Sequence, residues 1–376
     1  DGILQLQFHA KSGVVLSGGR DGRVKLWALR FGALKPIAEA LSTHGCVSRA
    51  VVFDANTGLV VTGGDDLRLV AWRFHNDQLT MIAVVEDAHA DSIGVLLLDS
   101  ESGIVFSAGQ DSAIKAWKLS DNALTLLAAK DEAHGGAIYT LTFVEGHSVV
   151  LSVGGDGQVK GWRIANGTLE SVTSFMRDGR CQEGIIAIKS NGTDYVVSAA
   201  ANGLIRAWRW DQNSLIPISP ATAAHEGRIF ALEFVDEGQV LSAGVDGVIH
   251  VWCLKGEQLE HIATSNANMS GAVLAIKFDS RSGVALSAGM DGSITAWKLD
   301  DKTLTRVPLP ATFKGDGMLG LDLHPQSGTI MSVGLDGALR AWRFEASNLS
   351  SPVVVAQAHE GWVRCMEFDG ESGFAA

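Results

Sequence analysis

The chain has 376 residues, 30 Lys and Arg against 42 Asp and Glu, and a formal net charge of −12. That balance argues against nucleic-acid binding, which needs a basic footprint, and makes basic partners easier to attract. Charged residues at 19% and apolar residues at 46% exclude disorder over most of the length.

The four cysteines, Cys46, Cys181, Cys253 and Cys365, lie far apart with no CxxC or zinc-ligand spacing. Neither a disulfide scaffold nor a cysteine metal site is expected, and a reducing, intracellular compartment follows, cytoplasmic before nuclear or cytoskeletal. No apolar run approaches the ~18 residues of a membrane helix, so no membrane insertion is expected. The chain opens on Asp1 without a signal peptide, and both ends read as cuts in a longer sequence.

In chain order, the first element is the alternating segment ILQLQF (3–8), with the period of two of a half-buried strand. A Ser12-Gly13 turn leads to VVLSGG (14–19), an Asp21-Gly22 turn follows, and a third run ends at Trp27. The phrase then repeats. Trp27, Trp72, Trp117, Trp162, Trp208, Trp252, Trp297 and Trp342 are separated by 45, 45, 45, 46, 44, 45 and 45 residues. Each ends a similar phrase, such as LSGGRDGRVKLW, FSAGQDSAIKAW and MSVGLDGALRAW. First strands recur as IYTLTF (138–143), IFALEF (229–234) and VLAIKF (273–278), and a variable fourth strand follows each tryptophan, as in LTMIAVV (79–85) and LTLLAAK (124–130).

Asp-Gly at 156–157, 246–247, 291–292 and 336–337 predicts hairpins whose two turn residues both adopt positive φ. A four-stranded sheet of this kind cannot bury both faces alone; packing against copies of itself in a radial array can. The reading is an all-β propeller of four-stranded blades. Residues 1–358 form eight repeats and residues 359–376 a partial ninth. One eight-bladed ring is the first expectation, and a segment of tandem propellers, with a seam at FMRDGRCQEG (175–184), is the other.

With these phrases the chain resembles the WD40 repeat family over nearly its whole length. The resemblance implies a hydrogen-bonded tetrad in each blade: a loop His, a second-strand Ser or Thr, a turn Asp and the Trp. Matching sets are His44, Thr62, Asp66, Trp72; His89, Ser107, Asp111, Trp117; His134, Ser152, Asp156, Trp162; and His225, Ser242, Asp246, Trp252. His359 opens a further unit with no tryptophan partner. The fifth unit carries Asn202 in place of the Asp, and the units around Met269 and Lys314 lack the His; these are expected to lean on apolar packing. The residue after each tryptophan departs from the family's usual Asp.

A His, Ser and Asp recurring together suggest a nucleophilic triad, but catalysis needs such a set once, and here it recurs at His-to-Trp spacings of 28, 28, 28 and 27. Repetition at fixed positions is the mark of a structural network. The pairs Asp65-Asp66 and Asp300-Asp301 stand at turns, where Asp bonds its own backbone, and no other hard-ligand cluster accompanies them. No phosphate-binding glycine phrase is present. The Thr-Gly-Lys phrase of eight-bladed quinone-dependent dehydrogenases is also missing. No catalytic, cofactor or metal residue is therefore assigned.

Two surfaces remain. Arg73, Lys118, Arg163, Arg209, Lys298 and Arg343 follow their tryptophans and form a broken basic ring, read first as a solvated edge and second as a dock for an acidic segment. In the WD40 family the residue before the turn Asp, and one early in the first strand, often face the rim where partners dock. By register the pre-Asp residues are Arg20, Asp65, Gln110, Gly155, Ala201, Val245, Met290 and Leu335, polar early and apolar late. The early-strand residues are Ile186, Phe230, Leu274 and Leu319, which pair Phe230 with Val245, Leu274 with Met290 and Leu319 with Leu335. These six form a candidate partner-binding patch, unless the early-strand residues merely pack around the channel. The expected function is a non-catalytic scaffold for protein or peptide partners within a larger complex. An architectural subunit of a cytoskeletal or ciliary assembly is one alternative, and a propeller enzyme or small-ligand-binding propeller is another.

Overall fold

The computed structural model describes residues 3–9, 14–19, 22–30, 33–40, 47–54, 57–120, 122–144, 147–175, 184–191, 194–211, 214–236, 238–266, 269–300, 302–308, 317–324, 328–336, 338–345, 348–349, 353–355 and 367–368. These residues build eight antiparallel sheets, one per tryptophan repeat, each with its strands in sequence order from the channel outward. The blades span residues 3–40, 48–85, 93–130, 138–175, 185–223, 229–264, 273–307 and 318–355. Among the described residues no helix is long and apolar enough to cross a membrane.

The second strand explains the ring. VVLSGG, LVVTGG, VVLSVG and VALSAG are buried at every position. A strand buried on both faces has apolar residues at successive positions where a one-sided strand alternates, and each blade must be covered by a neighbour on either side. Each core cluster accordingly mixes two consecutive blades. Val144, Val149 and Leu151 of blade 4, for example, pack with Ile185, Val196 and Trp208 of blade 5. Blades 4 and 5 are therefore direct neighbours, which removes the tandem alternative; most of its proposed seam, 176–183, lies outside the described residues. The outer strand Val353–Val355 of blade 8 lies against Ala33–Ala40 of blade 1, and Glu367–Phe368 pairs parallel with Gln7–Phe8 beside the first strand of blade 8. The molecule is a single eight-bladed propeller.

The hairpin expectation needs one correction. Only the glycine is left-handed, with φ of 70° at Gly157, 74° at Gly247 and 75° at Gly292; the preceding Asp is not. The turn closes by a bond from the glycine N–H to the carbonyl three residues back, as from Gly157 to Gly154 at 3.1 Å. The pre-Asp residue and the Asp are thus the two central residues of a four-residue turn. The Asp carboxylate accepts from the N–H two residues on, as with Gln158 to Asp156 at 3.1 Å and Ser293 to Asp291 at 3.0 Å. Leu67 and Ser112 take the glycine's place in blades 2 and 3 at φ of 69° and 61°.

Candidate functional site on the bulge face

The tetrad side chains meet where described. In blade 3, His89 Nδ1 lies 2.8 Å from Asp111, His89 Nε2 lies 2.7 Å from Ser107 Oγ, and Trp117 Nε1 donates to the same Oγ at 2.8 Å. His134, Ser152, Asp156 and Trp162 repeat this at 2.8, 2.7 and 2.7 Å, and His225, Ser242, Asp246 and Trp252 at 2.9, 2.8 and 2.9 Å. In blade 2 the Trp72–Thr62 bond is 3.3 Å and Asp66 accepts from the Arg68 N–H; His44 lies outside the described residues, as do Lys314 and His359. The Trp-to-hydroxyl bond holds in every blade, including Trp27–Ser17, Trp208–Ser198, Trp297–Ser287 and Trp342–Ser332.

Both nitrogens of each described tetrad His are committed, and both imidazole and Ser are buried, so these sets present no free nucleophile. Burial works to raise the Asp156 carboxyl. Bonds from His134 and the Gly135 N–H, the His134 charge and the Gln158 N–H outweigh it and hold the group at about 2. Burial pushes His89 below its ordinary range against the pull of Asp111.

In blade 7, which lacks the His, Met269 packs against the hydrophobic core. Met269 brings its Sδ to 3.2 Å from Ser287 Oγ. In blade 8 the buried guanidinium of Arg340 pairs with Asp336 and holds its carboxyl low against the opposing effect of burial.

The rim is built from two backbone devices. Every first strand carries a β-bulge at its second residue: Leu4, Arg49, Gly94, Tyr139, Ile186, Phe230, Leu274 and Leu319 each fall at a register shift against the second strand. A bulge re-aims a side chain out of the pleat. The pre-Asp residue then ties its N–H to the carbonyl just before that strand, as Val245 to Arg228 at 2.9 Å, Met290 to Ala272 at 2.8 Å and Leu335 to Gly317 at 2.9 Å. Bulge residue and turn tip are thereby neighbours in blades 2 to 8, the tip of blade 1 lying outside the described residues. Blade 2 shows the contact directly, since Arg49 donates to the two carboxylate oxygens of Asp65 from its Nε and Nη2.

The same two places hold Phe230 and Val245 in blade 6, Leu274 and Met290 in blade 7, and Leu319 and Leu335 in blade 8. Met290 is 52% and Val245 45% exposed, while Phe230, Leu274 and Leu335 are half-buried. Leu335 covers Gly317, whose carbonyl it engages, and the Arg228 guanidinium lies 6.0 Å over the Phe230 ring.

Sequence reasoning missed Tyr139, the bulge residue of blade 4, which is 45% exposed and lies across Gly155 and Gly184. Its signal was its register, identical to that of Phe230; the glycine opposite it hid the pair. Of the basic row, Arg73 and Arg163 donate to the Thr57 and His147 carbonyls of their own blades at 2.9 and 3.4 Å, and Arg209 approaches Glu257 at 3.9 Å. Lys118 and Lys298 are exposed; the side chain of Arg343 lies outside the described residues. Two of the row thus brace a turn of their own blade.

The family model for the WD domain, G-beta repeat, matches residues 1–28 and 219–253, in blades 1 and 6. No curated protein matches the sequence significantly. Among solved structures the chain is similar to the computationally designed Ika8 protein, at 24% identity and a TM-score of 0.73, over 91% of this chain and 96% of that one. Sqt1 from Chaetomium thermophilum, bound to the N-terminus of ribosomal protein L10, aligns at 17% identity and a TM-score of 0.73 over 88% and 94%. The WD40 β-propeller domain of Doa1 aligns at 16% and 0.53 over 76% and 88%. At these identities the likeness is one of fold. With the family match on two blades and the Trp-to-hydroxyl bond in all eight, the chain is an eight-bladed β-propeller that is similar to the WD40-repeat propellers.

Proposed function

We propose that the protein is a non-catalytic scaffold whose bulge face seats a segment of a partner protein over blades 6 to 8. Propellers of this family are generally interaction platforms, and the Sqt1 propeller takes the N-terminus of ribosomal protein L10. The observation that carries the reading is the run of three consecutive blades with apolar residues at both rim places, Met290 and Val245 being about half exposed. Contiguous apolar surface is seldom kept without a partner, and Met and aromatic side chains are enriched at interface cores.

The net charge of −12 adds a preference for a segment with apolar anchors flanked by Lys or Arg. Phe230, Val245, Leu274, Met290, Leu319 and Leu335 are the proposed contacts, with Tyr139 at the far end. The test is Met290→Asp with Leu335→Asp. Turn tips tolerate charge, so this variant is expected to fold as the parent does and to lose its partners in affinity purification. Unchanged recovery of every partner by the folded variant would refute the patch.

A further inference from the structure

Blade 6 differs from its sisters beside its tetrad. Two residues before each tryptophan the chain carries Lys25, Val70, Lys115, Lys160, Arg206, His250, Thr295 and Arg340. In blades 3 and 4 that lysine reaches the carbonyl preceding the tetrad His, Lys115 to Ala88 at 2.7 Å and Lys160 to Ala133 at 2.6 Å. Blade 6 puts an imidazole there instead. It also puts His261 opposite Trp252 on the fourth strand, where Pro36, Met81, Leu126, Ser171, Pro217 and Arg306 stand opposite six of the other tryptophans.

A register shift between Val251 and Trp252 matters here. His250 pairs with Thr264 and Trp252 with His261, so the bulge brings His261 and Thr264, three residues apart, onto the face that His250 occupies. Without it the two would point to opposite faces.

The three donor atoms converge. His250 Nδ1 is 3.1 Å from His261 Nε2 and 3.0 Å from Thr264 Oγ1, and His261 Nε2 is 3.1 Å from Thr264 Oγ1. They form a nearly equilateral triangle. Two ligands at ~2.0–2.1 Å from a tetrahedral ion stand about 3.3–3.4 Å apart, so the triangle is close to one face of such a coordination shell. Imidazole pairs suit zinc, copper and nickel.

The neighbouring set His225, Asp246 and His250, whose ligand atoms lie within 4.8 Å of one another, is a poorer candidate. His225 has both nitrogens engaged, by Asp246 and by Ser242, and to ligate an ion it would have to leave the tetrad. It serves better as a wall, its ring 4.6 Å from that of His250. The Asp246 carboxylate close by adds negative charge.

We infer that His250 and His261, with Thr264 or a water it holds, form a binding site for a divalent first-row transition ion on blade 6. Two neutral imidazoles supply the bonds, the hydroxyl marks a third corner, and the fourth stays open to solvent or to a partner's side chain. The site is independent of the proposed docking patch, because none of its ligands belongs to that patch.

The experiment is calorimetric titration of the chelator-treated full chain with zinc chloride at neutral pH. One saturable site is expected. His261→Gln, an exposed substitution that leaves the core intact, should weaken it at least tenfold. His250→Gln should do the same, and Thr264→Val should weaken it severalfold. Absence of a saturable site in the parent, or parental affinity in His261→Gln, would overturn the assignment.

Discussion

Each tetrad ties three elements through four side chains, so damage to one member is shared by the rest. His134→Ala or Asp156→Ala is expected to lower stability by about 1–3 kcal/mol through a buried partner left unsatisfied. The double variant should cost less than the sum, because both belong to one network; strictly additive thermal melts would contradict this. The pH dependence has a definite sign. Asp156 sits at about 2 in the fold against an ordinary 3.8. Its contribution, about 2 kcal/mol, is therefore complete above the unfolded value and is lost as pH falls from about 4 towards 2. Denaturant melts of Asp156→Asn should lack that part of the acid slope. His89, pushed below 6.5 by burial, likewise favours the fold above its unfolded value and weakens it as pH falls below that value. Backbone places are equally exacting. Gly203 has φ of 80°, and a Cβ there would stand 2.2 Å from the His225 carbonyl. Gly203→Ala should cost about 2 kcal/mol or more, although alanine restricts the unfolded chain, since the native conformation cannot accept it.

At the scale of elements, the first strands show a pattern that separates one half of the ring from the other. Lys189, Glu233, Lys277 and Asp322 hold the same register place in blades 5 to 8, and their charges alternate. Lys189 and Lys277 approach Glu233 at 3.7 and 4.0 Å, and Lys277 meets the buried Asp322 at 3.0 Å. In blades 2 to 4 the place is taken by Val52, Leu97 and Thr142. The ladder crosses from blade to blade, so it specifies neighbours as well as adding attraction. Lys277→Met removes the cation nearest a buried carboxylate and should cost about 3 kcal/mol, while Lys277→Met with Asp322→Leu should recover most of it. Chemical denaturation of the single and double variants checks this; equal losses in both would argue that the ladder is incidental.

For the whole molecule, stability rests on interfaces between consecutive blades and on closure between the last and the first. Spin labels on cysteines placed at Glu39 and Val354, in the outer strands of blades 1 and 8, should report one short separation. A separation near the ring's diameter would contradict the blade order. Removing the last residues, including Glu367 and Phe368, takes away a strand that lies beside the first strands of blades 1 and 8. The expected result is a lower melting temperature with unchanged β-sheet content, read by circular dichroism.

The repeat length, the eight repeats and the strand order were legible in the sequence because each depends on local period and spacing, and the tetrads were legible through the resemblance to WD40 repeats. Trp spacing near 45, alternating first strands and Asp-Gly turns after the second strands leave little choice of architecture. The register that pairs Phe230 with Val245 and Leu274 with Met290 was readable for the same reason. Tertiary structure decided which way those residues point, because a β-bulge is a property of two strands in register and neither strand announces it alone. It also decided that Asp-Gly forms a turn with one left-handed residue, that Arg340 pairs with Asp336 in blade 8, and that Tyr139 belongs to the rim. The convergence of His250, His261 and Thr264 lay furthest from view: it needs a shift of one residue between paired strands, and only the folded sheet supplies it.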